Sequence, residues 1–207
     1  MGFNSGVAYA LMRGVRYAVN KYSPSWLLFL DDDTIVMRGS VRAVLRSYEK
    51  LPEKIKRIIG AISLGSEGNY CRVYETRLGI FSGTLIKADI AMKTCCRYEF
   101  FMDQADHDLY FKIRRQGLLA LQIRCKLVDH RLGTKTYVPI LKRFVDYEPP
   151  WRYYYIVRNS TILLRERGPR YHSISATTDF LGSANIIKRW NQEVHKILRS
   201  RINARAS

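Results

Sequence analysis

Three carboxylates stand side by side at Asp31, Asp32 and Asp33, directly after the run WLLFL, in a chain whose formal net charge is +17. Adjacent carboxylates repel one another, and partial burial raises their pKa values unless a cation offsets the charge. A hard dication such as Mg²⁺ or Mn²⁺ is the usual remedy, above all where its other ligands are phosphate oxygens of a substrate. Asp31 and Asp33 have the spacing to turn toward one such ion. An acidic turn with Thr34 or Ser40 capping the next helix explains the same residues without a metal, and the triplet alone leaves both readings open. A second acidic group, Asp103, Asp106 and Asp108, lies in FFMDQADHDLYFKIRRQG around the start of a predicted helix, where the positive end of the helix dipole favours negative charge. A carboxylate there could also serve as a general base if it reached an acceptor hydroxyl. His130, in VDHRLG, follows a strand-like run; its imidazole suits Mn²⁺ beside carboxylates and equally suits a structural role.

Such groups need elements to hold them, and hydropathy periodicity supplies a sequence of them. Val7, Leu11, Val15, Ala18 and Val19 recur at helical spacing, SPS interrupts, and WLLFL reads as a short buried strand ending at the aspartates. Val41, Val44, Leu45 and Tyr48 predict a second helix, RIIGAI at 57–62 a second strand, LGSEGNY a loop, and RLGIFSGTLI at 77–86 a third strand. Residues 107–116 read as a helix stopped by Gly117, followed by the strand-like LLALQI and CKLV. After EPPW, YYYIVRNSTILL and ANIIKRWNQEVHKILRSRI predict helices. This order is that of an α/β domain with a mixed sheet, chemistry at strand ends and a helical C-terminal section.

Composition narrows the partners less than the motifs do. The 35 Lys and Arg against 18 Asp and Glu predict attraction to something anionic, but the basic residues are spread along the chain rather than gathered into a nucleic-acid patch. No stretch reaches the ~18–20 apolar residues of a membrane span and no secretory signal opens the chain, so a cytoplasmic location is the default. The cysteines, Cys71, Cys95, Cys96 and Cys125, have no CxxC spacing and are expected to be reduced, buried or incidental. Ile187, Trp190, Val194, Ile197, Leu198 and Ile202 form an apolar stripe opposite Lys188, Arg189, Lys196, Arg199 and Arg205, which suits docking onto the core or an anionic membrane surface. RYYYIVRN at 152–159 offers aromatic faces for sugar rings, with Arg158 and Asn159 as hydrogen-bonding groups, or an ordinary packing helix.

The ordered motifs NSGVAYALMRGVRYA, WLLFLDDDT, GIFSGTLIKADI, FFMDQADHDLYFKIRRQG, DHRLG and RYYYIVRN together resemble the inverting family 2 glycosyltransferases of GT-A fold. Within them the chain is most similar to the rhamnosyltransferase and galactofuranosyltransferase branch, over roughly residues 3–165. The resemblance implies an α/β, GT-A-like mixed sheet flanked by helices. It also implies a chain that lacks the βαβ unit usually preceding the NxG segment, with residues 1–148 forming a partial catalytic domain and 149–207 a helical section facing acceptor or membrane. By position, Asp31, Asp33 and His130 match the metal ligands, Asp32 the donor-facing acid, Asp106 the catalytic base, Ser82 and Gly83 the SG pair of the donor or acceptor pocket, and Asn4 with Gly6 the start of the NxG segment. Ala105 departs from the pattern where the family usually has a second acid, and Lys112 stands where Arg is common.

The implied reaction moves a sugar from a UDP- or dTDP-linked donor to a hydroxyl of a glycan or lipid-linked saccharide. It would use Mg²⁺ or Mn²⁺ in polysaccharide biosynthesis at the inner face of the cell membrane, with no nucleic-acid partner. Two alternatives stand beside it. DDDTIV also resembles the opening of haloacid-dehalogenase-type phosphatases, with Asp31 as nucleophile, although no later glycine-aspartate metal motif completes that set. A non-enzymatic nucleic-acid-binding protein would rest on the positive charge alone.

Overall fold

The computed structural model describes residues 3–130, 135–138, 143–146, 149–168 and 191–192. The first helix, α1 (Val7–Tyr22), buries Ala8 and Val15 and stops at Ser23, whose left-handed backbone lets its N–H close on the Val19 carbonyl. Pro24 follows, and the chain enters β1 (Trp26–Phe29). A five-stranded mixed sheet has the order β1-β5-β3-β6-β4, with β3 at Ile59–Leu64, β4 at Arg72–Glu75, β5 at Thr84–Lys87 and β6 at Leu119–Arg124. Because β5 runs antiparallel to both β1 and β3, and β3 runs parallel to β6, the strands β1, β3 and β6 all point the same way. Their carboxyl ends therefore share one edge of the sheet.

Helices cover both faces. On one, α1 packs with α4 (Ala88–Thr94), α5 (Ala105–Arg115) and α6 (Pro150–Arg167), burying Val15, Ile90, Leu109, Ile113 and Leu163 against Ala61, Ile86 and Ala120. On the other, α2 (Ser40–Glu49) and α3 (Glu53–Ile58) bring Val44, Tyr48, Ile55 and Ile58 onto Ile62, Leu85 and Leu121. All six residues of β3 are buried, as a central strand covered on both faces requires. Two antiparallel ribbons complete the described elements: β2 (Thr34–Val36) with β7 (Val128–His130), and β8 (Lys135–Val138) with β9 (Arg143–Asp146).

Several expected boundaries move for local reasons. Arg57 and Ile58 belong to α3, which Pro52 opens and the Glu53–Lys56 ion pair at 2.7 Å supports, so the strand begins at Ile59. Of RLGIFSGTLI only the last three residues are strand, in β5, because Gly83 at φ 74 turns the chain immediately before Thr84. His130 ends a strand rather than following one. The cysteines are not reduced: Cys71 is joined to Cys125 and Cys95 to Cys96. The first bridge closes beside the Arg72–Arg124 pair of β4 and β6, a proximity that 54 residues of separation conceal in the sequence. Of the predicted helix at 184–202, only residues 191–192 are described; there the Asn191 side chain accepts from Val73 N–H at 2.5 Å and donates to its carbonyl at 3.4 Å, capping the outer edge of β4. Among the described residues, no helix is long and apolar enough to cross a membrane.

Candidate metal centre

The acidic triplet sits where β1 leaves the sheet. A turn closes from the Asp31 carbonyl to the Thr34 N–H at 3.3 Å, and β2 starts at once. Antiparallel pairing of β2 with β7 sets Thr34 opposite His130, so a residue almost one hundred positions later arrives beside the turn. The ribbon is anchored at its far end by Ser40, whose hydroxyl donates to the carbonyls of Met37 (2.7 Å) and Leu127 (3.0 Å), and by Leu127 N–H on the Gly65 carbonyl at 2.8 Å. The result is a cluster in which one ligand atom each of Asp31, Asp33 and His130 lies within 4.8 Å of the others; this group could hold a metal ion. His130 Nε2 is 3.1 Å from Asp33 Oδ1, with the imidazole largely covered and the Asp33 carboxylate open to solvent.

Ser82, expected to line the donor or acceptor pocket, is buried beneath this turn and supports it. Its Oγ accepts from Asp31 N–H at 3.1 Å and shares a 2.5 Å hydrogen bond with Thr34 Oγ1. Gly83 donates its N–H to the Phe29 carbonyl and accepts from Leu64 N–H, both at 2.9 Å, with a positive φ that a side chain would strain. Asp32 is exposed on the outer side of the turn. The Asp31 carboxyl is pushed above its ordinary range by burial first and by the neighbouring Asp33 charge second, while His130 and Arg152 pull it back. A carboxylate made costly in this way gains from a bound cation.

The second acidic group is divided by its partners. Asp103 meets Arg152 of α6 through Nε at 3.1–3.2 Å and Nη2 at 3.1 Å. Asp108 is fully buried between Lys112 Nζ at 2.7 Å and the Arg167 guanidinium. Lys112, which replaces the expected Arg, thus serves a structural ion pair. Asp106 has no ion pair among the described residues; its Oδ1 accepts from His107 N–H at 2.8 Å, and burial raises its carboxyl pKa. Of the three acids, it alone has no ion pair among the described residues; burial raises its pKa and the neighbouring His107 pulls it back only in part, which is how a carboxylate is kept basic. One link joins the two acidic groups: Arg152 holds Asp103 and is near enough to Asp31 for its charge to lower that carboxyl's pKa.

The backbone before α5 is unusual. Phe101, Asp103 and Gln104 all have positive φ, at 50°, 57° and 62°. Asn159, fully buried on α6, holds this segment by donating from Nδ2 to the carbonyls of Phe100 (2.9 Å), Met102 (2.7 Å) and Asp103 (3.0 Å). Arg158 donates to the Glu99 carbonyl at 3.0 Å and to Asn159 Oδ1 at 2.9 Å. Both residues, expected to bind donor or acceptor, hold the loop that leads to Asp106. Asn4 accepts from Gly6 N–H at 3.1 Å, and Gly6 lies so close to the Phe101 carbonyl that a Cβ would come within 2.2 Å of it. The close approach at Gly6 lets Ala8 N–H reach the Phe101 carbonyl at 3.3 Å, which ties the start of α1 to the loop before Asp106. Asn159→Ala is expected to lower unfolding stability by about 1–3 kcal/mol in thermal or urea denaturation, since buried carbonyls lose their donor.

Sequence reasoning gave Thr34 only a capping role and did not single out Arg152. Neither residue type nor spacing marks Arg152, because its partner Asp103 lies 49 residues away. A scan of the chain against protein-family models finds no match, and neither does a search of curated proteins.

Proposed function

We propose that this chain is a metal-dependent inverting glycosyltransferase with a GT-A-like domain, acting on a nucleotide-sugar donor and a hydroxyl acceptor. The observation that carries the reading is the convergence of Asp31, Asp33 and His130 on one point at the carboxyl edge of the sheet. Two carboxylates and an imidazole suit Mn²⁺, and Mg²⁺ less well because it prefers an all-oxygen shell. When bound, such a cation supplies charge stabilisation to the departing diphosphate.

The chain's own residues do the rest. Ser82 and the β2–β7 ribbon fix the ligands before any substrate arrives, so little ordering remains at binding. Asp32 reaches solvent beside the ligands, where it would meet the donor. Asp106, raised in basicity by burial, takes the proton of the acceptor hydroxyl as that oxygen attacks the anomeric carbon opposite the nucleotide. The leaving group and nucleophile lie on opposite faces, so configuration inverts without a covalent intermediate. Assays with UDP- and dTDP-linked donors, and with glycan and lipid-linked acceptors, identify the carrier and the acceptor. Nucleotide-sugar screening for Mn²⁺-dependent release of nucleoside diphosphate tests the reading. Release of phosphate from phosphomonoesters with no action on nucleotide sugars would replace it with the phosphatase reading, Asp31 being the nucleophile.

Metal binding should also weaken on acidification from an unusually high pH. Asp31 must lose its proton to ligate, and burial with the Asp33 charge holds that proton more tightly than an ordinary carboxylate would. Mn²⁺ titrations across the acid range should show affinity falling before a solvent-exposed aspartate would protonate.

A further inference from the structure

One face of α6 points away from everything else described. Asn159 and Leu163 are fully buried and fix how the helix sits. On the opposite side Trp151, Tyr154, Val157 and Leu164 are 53%, 63%, 64% and 47% exposed, and Thr161 lies between them. The spacing places them in one stripe about 20 Å long at 1.5 Å per residue. Its aromatic end is ordered before any partner arrives: Tyr155 stacks on Phe101 with centroids 5.0 Å apart, and Trp151 and Tyr154 meet the Tyr155 ring edge-on at 6.5 and 5.3 Å. Arg165 is exposed beside the stripe, and the nearby Glu166 is bound by Arg97 at 2.5 Å.

We propose that this stripe is a membrane-docking surface, on which α6 lies in the plane of an anionic lipid interface. Indole and phenol rings suit the boundary between headgroups and acyl chains, with Val and Leu reaching below it. Charge decides between the candidate occupants. A second copy of the chain would bring another formal +17 against the first and be repelled, whereas anionic lipid is attracted by the same charge. The resemblance set residues 149–207 toward acceptor or membrane, and the sequence offered for such contact the stripe at 184–202, which lies outside the described residues apart from 191–192; α6 supplies a second stripe, and a described one. This inference does not rest on the transferase reading.

The test is co-sedimentation of the full chain with vesicles of phosphatidylcholine mixed with phosphatidylglycerol, and with phosphatidylcholine alone. The parent should bind the anionic vesicles, less so at high salt, and its tryptophan emission should shift to the blue. The variant Trp151→Ser, Tyr154→Ser, Val157→Ser should still unfold in one cooperative step, at a somewhat lower temperature because the edge-on contacts with Tyr155 are lost, and should lose about tenfold or more in vesicle partitioning. Trp151→Phe should keep most of the binding and lose most of the blue shift. Asp31→Asn, Asp33→Asn should bind vesicles at least as well as the parent, which separates this inference from the metal site. A parent that ignores anionic vesicles, a triple variant that binds them like the parent, or a dimer that depends on the stripe would each overturn the proposal.

Discussion

Asp106→Asn is expected to lower the rate of sugar transfer by about 10²–10⁴-fold, the range for loss of a positioned general base. The same change should make the fold harder to melt at neutral pH. Burial raises the Asp106 pKa, so the folded state holds its proton more tightly than the unfolded chain, whose value lies near 3.8. Above the folded pKa the native protein carries a charge it would rather not bury, and stability falls as pH rises through that window. Asparagine removes the charge and can still accept the His107 N–H. The stability gain should thus be largest at neutral pH and vanish below the unfolded value, where both side chains are neutral. A residue that merely supported the helix would lose stability when changed; one kept charged for chemistry loses turnover and gains stability. Rate assays paired with melting curves at acid and neutral pH separate these outcomes.

Removing the metal ligands should have an effect of similar size by a different route. Asp31→Asn with Asp33→Asn should abolish Mn²⁺ binding and reduce transfer by at least about 10³-fold, since charge stabilisation of a leaving group is commonly worth that much. In the parent, a chelator should reproduce the loss and added Mn²⁺ should reverse it. The metal-free variant should be no less stable than the metal-free parent, because it relieves a burial cost and a carboxylate repulsion at Asp31. Calorimetric titration with Mn²⁺ and melting in the presence of chelator read the two halves of this prediction.

The acidic triplet was legible because its chemistry is local: adjacent carboxylates after an apolar strand announce themselves. The helix α1, the central part of β3 and the helix α5 were legible because periodicity reports a buried face over many residues. What escaped the sequence was set by distant pairing. Nothing in LGSEGNYCRVYE marks Arg72–Glu75 as a strand, because that strand depends on β6, and nothing near Thr34 shows that it will lie opposite His130. Arg158, Asn159 and Ser82 illustrate a second limit. Their residue types suit ligand binding, yet their donors and acceptors are engaged by backbone groups of strained or tightly turning segments, which only the fold brings within reach. Residue type identified useful hydrogen-bonding groups in each case, and their partners decided the role. The sorting of Asp103, Asp106 and Asp108 follows the same rule, because arginines from α6 claim the two outer acids and leave the middle one.

The most direct measurement is the melting temperature of the full chain with UDP and with dTDP, each in the presence and absence of Mn²⁺. Ligand bound at 100 times its Kd adds about 2.7 kcal/mol to stability, an amount readily seen as a shift in melting temperature. A shift that requires nucleotide and Mn²⁺ together, and that disappears in Asp31→Asn, Asp33→Asn, is the result predicted by a cation shared between Asp31, Asp33, His130 and a diphosphate. A nucleotide shift of the same size without metal, or one undiminished in that variant, would contradict it.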